Sequence, residues 1–187
     1  EGSAVYDVVI SPRGDRAVVA ARFRGGMGMP VLDVATGRIA YELSDPFPSR
    51  TVFSADGDTL FVAGNAAGGY LLLALRAADG QPLRSVALPL LETSAIAVDP
   101  SRPWLYVAGM VGSFEEPHGR LLVFDRDSLA LRAMVAVPDS VDLPWGWGAH
   151  GVRIVPSPPE QRLYVVWTYS SRDATDRAFL TRFRTPP

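Results

Sequence analysis

The 187-residue sequence contains no cysteine and no lysine, and all 18 of its basic residues are arginines. Without cysteine the chain has no disulfide, no thiolate nucleophile, no cysteine-ligated zinc or iron–sulfur cluster and no covalent c-type haem. Without lysine it lacks the amine of a Schiff base and of a P-loop phosphate site. These absences exclude several large enzyme classes, and they leave the redox compartment undecided.

Strong charge and long apolar runs are also missing. The 20 acidic residues nearly balance the 18 arginines, which gives a net charge of −2. Without a basic stripe to release counterions, no nucleic-acid partner is expected. No apolar run approaches the roughly 20 residues of a membrane-spanning helix, so no transmembrane segment is expected. The first residues, 1–4, do not resemble a signal peptide, so any targeting segment is expected to have been removed or left out.

The composition that is present favours a folded domain. Hydrophobic residues make up 48% of the chain and charged residues only 20%. A chain of this length and composition can bury a sizeable core, so we expect a single domain that spans residues 1–187.

One unit, an apolar run followed by a turn and a second apolar run, recurs four times. It is clearest at Ala95–Gly109, where the turn contains Pro100 and Pro103. The ends of the first runs are separated by 43, 45 and 56 residues. A period of about 40 to 50 residues with short strands is typical of β-propeller blades. The aligned positions are Ser11, Ser54, Asp99 and Val155.

The fold class predicted from this repeat is all-β, a partial β-propeller of about four consecutive blades. Their approximate bounds are 5–45, 46–90, 91–138 and 139–187; the first three have four strands each, and the last lacks its fourth strand. Strands such as Tyr70–Leu75 are apolar throughout, which predicts that both faces of a blade are buried. We expect the chain to be part of a seven- or eight-bladed ring, completed by another segment of the precursor, a second copy or a different subunit.

The repeat also resembles a known family. Ile96–Pro100 followed by Leu105–Ala108, and His150–Pro156 followed by Leu163–Val166, are similar to YVTN-type propeller repeats. The resemblance covers all four units and implies a blade. Such repeats occur in extracytoplasmic binding proteins, surface-layer proteins and lactonase-like enzymes, and beside redox centres in periplasmic dehydrogenases and reductases.

Binding residues are expected on the long loops that join the second to the third strand of a blade, and the fourth strand to the next blade. The most prominent is the insertion Asp139–His150, which contains Trp145, Trp147 and His150. Three interpretations of the two indole rings are open: they anchor a protein partner, they line one side of a ligand site, or they cover the end of the hydrophobic core between blades. The sequence predicts the other long loops at 24–28, 44–50, 65–69, 112–119 and 170–177.

The loop Gly112–Gly119 carries Phe114, Glu115, Glu116 and His118. Together with His150 these residues could bring two imidazoles and two carboxylates together, but their spacing matches no metal-ligand signature. A solvated loop is the preferred interpretation, so neither a metal site, a cofactor nor a catalytic residue is predicted.

Two further motifs are interpreted as parts of a loop and of a turn. Arg172 lies in the polar run 170–177, interpreted as a solvated loop, with an ion pair to a partner as the alternative. The tripeptide Arg13–Asp15 coincides with the turn of the repeat and is interpreted as that turn.

The function predicted from the sequence is a non-catalytic, protein-interaction or structural subunit of a larger extracytoplasmic assembly, periplasmic or secreted. A membrane-associated electron-transfer complex is one such assembly. The partner proteins are expected at the long loops and at open blade edges. The alternatives are a fragment of a propeller enzyme, lactonase-like or periplasmic redox, and a small-ligand-binding propeller. Whether the chain is an enzyme stays open, with catalysis disfavoured.

Overall fold

A computed structural model describes residues 4–23, 26–43, 47–112, 117–136, 149–169 and 177–184. The chain divides into two compact units, residues 1–88 and residues 89–187. The described residues form fifteen β-strands and one short 3₁₀ turn, and they contain no α-helix. The expected all-β class is therefore confirmed, whereas a single domain over 1–187 stays a prediction.

The first unit contains two four-stranded antiparallel sheets, each with its strands in sequence order. The strands of the first sheet are β1 (Ala4–Ile10), β2 (Arg16–Phe23), β3 (Gly26–Asp33) and β4 (Arg38–Leu43). The strands of the second sheet are β5 (Phe47–Phe53), β6 (Thr59–Ala66), β7 (Gly69–Arg76) and β8 (Pro82–Ala87).

The second unit contains a four-stranded sheet and, within the described residues, a three-stranded sheet, both antiparallel and in sequence order. The third sheet consists of β9 (Glu92–Val98), β10 (Trp104–Gly112), β11 (Pro117–Asp125) and β12 (Leu131–Ala136). The fourth consists of β13 (Ala149–Ser157), β14 (Arg162–Tyr169) and β15 (Arg177–Arg184). Three complete blades and one with three strands agree with the prediction.

In the first three sheets, the turn between the first two strands is fixed by one polar residue. The Ser11 hydroxyl accepts hydrogen bonds from the backbone N–H groups of Asp15 and Arg16. Ser54 and Asp99 end the first strand in the same way, each donating its N–H to a carbonyl five residues later. In the fourth sheet Ser157 pairs with Arg162 at the same separation, so the equivalent of Ser11 is Ser157 and not Val155. The sequence alignment was wrong by two residues because β13 continues past Val155.

Aspartates organise the turns between third and fourth strands. The Asp33 carboxylate accepts hydrogen bonds from the N–H and hydroxyl of Thr36, and the Asp125 carboxylate accepts the same pair from Ser128. These bonds hold the pKa of both carboxyls below the ordinary value of 3.8. The Arg13–Asp15 tripeptide lies in a turn, as predicted, with Gly14 at a φ of 71°.

The core of the first unit lies between its two sheets. Val18, Met29 and Val31 of the first sheet cluster with side chains of the second sheet, among them Leu60 and Val62. The Tyr41 hydroxyl adds a polar link, because it donates a 2.9 Å hydrogen bond to the carbonyl of Ala77. One face of the first sheet is thereby fixed against the second.

The core of the second unit is built in the same way. Trp167, Leu163 and Val165 of the fourth sheet cluster with Tyr106 of the third sheet and with its small residues, Ala95, Ala97 and Ala108. The Tyr106 hydroxyl donates a 3.0 Å hydrogen bond to the buried carboxylate of Asp99. Burial and that carboxylate raise the pKa of Tyr106.

The second sheet shows the expected burial of both faces. Four consecutive residues of β6, Leu60–Ala63, are buried, although their side chains point alternately to opposite faces. In the third sheet Leu105–Ala108 of β10 are buried in the same way.

Several connections are shorter than predicted, since β3 already begins at Gly26 and β5 at Phe47. Residues 65–69 do not form a long loop, because β6 ends at Ala66, β7 begins at Gly69, and these two residues pair directly. Gly69 permits this tight hairpin, since its φ of 121° is costly for any other residue. In the third sheet the strand pairing extends to Gly112 and Pro117, which leaves 113–116 as the connection.

Gly109 is the site of a steric prediction. A Cβ at this position would clash with the carbonyl oxygen of Glu92 on the neighbouring strand. Gly109→Ala should therefore force β9 and β10 apart and lower the free energy of unfolding by about 1–3 kcal/mol. Gly68→Ala is the matched control, because a Cβ there meets nothing within 4 Å. Denaturant unfolding in which both variants match the wild type would contradict this account.

Tyr41 predicts a dependence of stability on alkaline pH. Burial raises the pKa of Tyr41 from the ordinary 10.0 to about 12. Since the folded pKa is the higher one, the stabilisation by neutral Tyr41 is complete below pH 10 and is lost as the pH rises towards 12. Tyr41→Phe should lower stability by about 1 kcal/mol at pH 7 through loss of the hydrogen bond to Ala77. Chemical denaturation should show that the free energy of unfolding falls less between pH 10 and 12 in the variant than in the wild type. Parallel pH curves for the two proteins would refute the assignment of this loss to Tyr41.

Candidate functional site

Most of the residues predicted from the sequence as a site lie outside the described part of the chain. Trp145, Trp147, Phe114, Glu115, Glu116 and Arg172 all fall in this group. His150 lies in β13 and pairs with Thr168, but its side chain is outside the described set. The aromatic anchor and the His–Glu cluster therefore stay predictions.

His118 is the one predicted site residue whose side chain is described. It lies near the start of β11, opposite Val111 of β10, and it is exposed. Among the described residues, no three His, Asp or Glu side chains are grouped so that they could hold a metal ion. The described residues around His118 therefore do not form a metal site.

The face of the first sheet that is turned away from the second sheet is apolar, and aliphatic side chains of its outer strands are exposed there, whereas Ala21 and Pro30 on the inner strands are buried. We call it the apolar face. The strand register places Ile10, Ala17, Leu32 and Ile39 in one row across this face and Val8 and Val19 in the next. Ile10 is 62% exposed and Ile39 is 59% exposed. Among the paired residues of this face, one carboxylate is present, that of Glu42 opposite Pro30.

The face of the fourth sheet that is turned away from the third sheet is amphipathic. We call it the arginine face. Burial alternates along β14, with Leu163, Val165 and Trp167 buried in the core and the residues between them partly exposed. The register sets three rows on the partly exposed side, which are Arg153–Val166–Leu180, Val155–Tyr164–Arg182 and Ser157–Arg162–Arg184.

The four arginines of the arginine face have no ion-pair partner among the described residues. Five other arginines of the described chain bind an aspartate at 2.8 to 3.0 Å. The nearby acid Glu160 instead accepts a 2.5 Å hydrogen bond from the Tyr164 hydroxyl. Arg162 and Arg184 also stand directly opposite each other on adjacent strands, where like charges destabilise a sheet.

The sequence predicted open blade edges but not the residues that form these two faces. The alternation in β15, with Leu180, Arg182 and Arg184 at every second position, was the available signal for the arginine face. For the apolar face no local signal exists, because β1 is as apolar as a strand that is buried on both sides.

The comparisons with known proteins show the fold. No protein-family model matches the chain, and no curated protein matches it. Among solved structures, a chain of the mitotic checkpoint complex superposes with a TM-score of 0.67 at 10% identity, over 97% of this chain and 49% of that chain. The WD40 repeats of RRP9 superpose with a TM-score of 0.58 at 14% identity, over 96% of this chain and 52% of that chain. Hydrazine synthase of Kuenenia stuttgartiensis superposes with a TM-score of 0.54 at 11% identity, over 97% of this chain and 63% of that chain.

These similarities establish propeller-type blades and do not confirm the YVTN family. The chain spans about half the length of the first two neighbours and less than two thirds of the third. No helix of the described chain is both long and apolar enough to cross a membrane.

The Arg162–Arg184 pair gives a prediction about stability. Arg184→Glu should replace a cross-strand repulsion by an attraction and raise the free energy of unfolding by about 0.5–1 kcal/mol at low salt. Arg84→Glu is the matched control, because Arg84 lies on the exposed strand β8 opposite Ala74. Thermal unfolding at low and at 1 M salt should show the gain for Arg184→Glu alone, reduced by screening. An equal effect at position 84 would refute the cross-strand explanation.

Proposed function

We propose that the chain is a four-blade segment of a β-propeller and acts as a non-catalytic interaction or structural subunit of a larger assembly. The observation that carries the proposal is the apolar face. Four of its aliphatic side chains, those of Val5, Val8, Ile10 and Ile39, are each more than half exposed. Burial of a side chain of this kind is worth about 1.5–3 kcal/mol, so a covering surface stabilises the complex substantially.

A further propeller blade is the surface that would cover the apolar face. The second and third sheets, each buried on both sides, show the environment that such a sequence adopts. The chain corresponds to about half of two propeller neighbours, which supports a ring with three or four additional blades. These blades come from the same precursor or from another subunit.

The setting of this assembly is part of the proposal. The resemblance to YVTN-type repeats, which occur in extracytoplasmic proteins, supports a periplasmic or secreted location. The protein partners would bind at the long connections between strands and at uncovered sheet faces.

Site-specific photo-crosslinking in the cells that produce the protein tests this role. A photo-reactive benzoylphenylalanine placed at Ile10 should form adducts with polypeptide, because another sheet covers this position. The same group placed at Val34 is the control, since Val34 is 47% exposed and lies in a turn outside both faces. The adduct mass distinguishes a separate subunit from further blades of the same chain. Absence of polypeptide adducts at Ile10, or equal yields at both positions, would refute the proposal.

A further inference from the structure

We infer that the arginine face docks a protein surface of a different sequence, in which carboxylates surround an apolar patch. The inference rests on the proposed function, because it specifies the partner of one uncovered sheet. Leu180 is 61% exposed and Val155 is 44% exposed on this face, with Val166 and Tyr164 between them. These side chains form an apolar centre suited to burial against another protein.

The charges around this centre determine the chemistry of the partner. Arg153 lies in the same row as Val166 and Leu180, and Arg182 lies opposite Tyr164. Arg162 and Arg184 form the adjoining row. A surface that covers the apolar centre also removes water from these guanidinium groups, which is costly unless carboxylates receive them. Guanidinium and carboxylate groups pair with two parallel hydrogen bonds, which fixes the orientation of the partner.

Without a partner, the arginine face contains a charge repulsion that nothing on the described part of this face compensates. Arg162 and Arg184 repel each other across the β14–β15 pair, and neither has an acidic partner among the described residues. A carboxylate placed between them converts this repulsion into two attractions. The arrangement therefore favours docking over a permanently solvated surface.

Among the described residues, neither uncovered face of a second copy supplies the required surface. Among the paired residues of the apolar face, one carboxylate, that of Glu42, would meet four arginines. A contact between the arginine faces of two copies would place four guanidinium groups against four others. Either contact buries cations without compensation and is therefore strongly disfavoured. The partner is therefore a distinct sheet or protein segment that carries Asp or Glu, such as a following blade of other sequence.

Photo-crosslinking from Leu180 in the native assembly tests this inference. The expected adduct is a polypeptide whose cross-linked segment contains at least two Asp or Glu residues near apolar ones. The double variant Arg153→Glu, Arg182→Glu should lower the adduct yield at least tenfold, and the Gln double variant should lower it less. Arg38→Glu with Arg84→Glu is the control, because both are exposed arginines on fourth strands of other sheets, and it should leave the yield unchanged.

The remaining outcomes separate this inference from the proposed function. An adduct with another copy of this chain, with lipid or with nucleic acid overturns the inference, as does a missing adduct at Leu180 while Ile10 still reacts with polypeptide. Yields insensitive to the arginine changes also overturn it. Loss of polypeptide adducts at Ile10 instead refutes the interaction role. Changing the cross-linked carboxylate to arginine should restore the adduct of the glutamate double variant, and circular dichroism verifies that each variant is folded.

Discussion

The packing of one apolar sheet face against the next is the interaction on which the rest of each unit depends. In the second unit the large side chains of Trp167 and Leu163 cluster with Ala95, Ala97 and Ala108 of the neighbouring sheet. Large residues against small ones allow two twisted sheets to approach closely and fill the space between them. The first unit uses Met29 and Leu60 in its own core. A blade has two faces, and each needs a neighbouring sheet to bury its apolar side chains. A face without such a neighbour leaves these side chains exposed.

The turn chemistry supports this packing by fixing strand register. Ser11, Ser54 and Asp99 hold the first turn of their sheets, and Asp33 and Asp125 hold the last. Register determines which residues share a face, because a shift by one residue would move every side chain to the opposite side. Polar residues at the turns thus keep the apolar ones directed into the cores.

Two uncovered faces result from the same architecture, but they differ in chemistry. The apolar face resembles a blade interior and requires only a complementary sheet. The arginine face combines an apolar centre with four cations, so it discriminates among partners by charge as well as by shape. An assembly that uses both faces would gain affinity from the first and selectivity from the second.

The sequence by itself determined the repeat and the all-β class, because turn residues and short apolar runs are local signals. It did not reveal that β13 continues to Ser157 or that residues 65–69 form a tight hairpin, since strand ends depend on pairing with a neighbour. The opposition of Arg162 and Arg184 follows from the register of strands separated in sequence. Whether an apolar strand such as β1 is covered on one side or on both is decided only by which sheets surround it. That arrangement is tertiary, and it is what leaves the apolar face and the arginine face exposed.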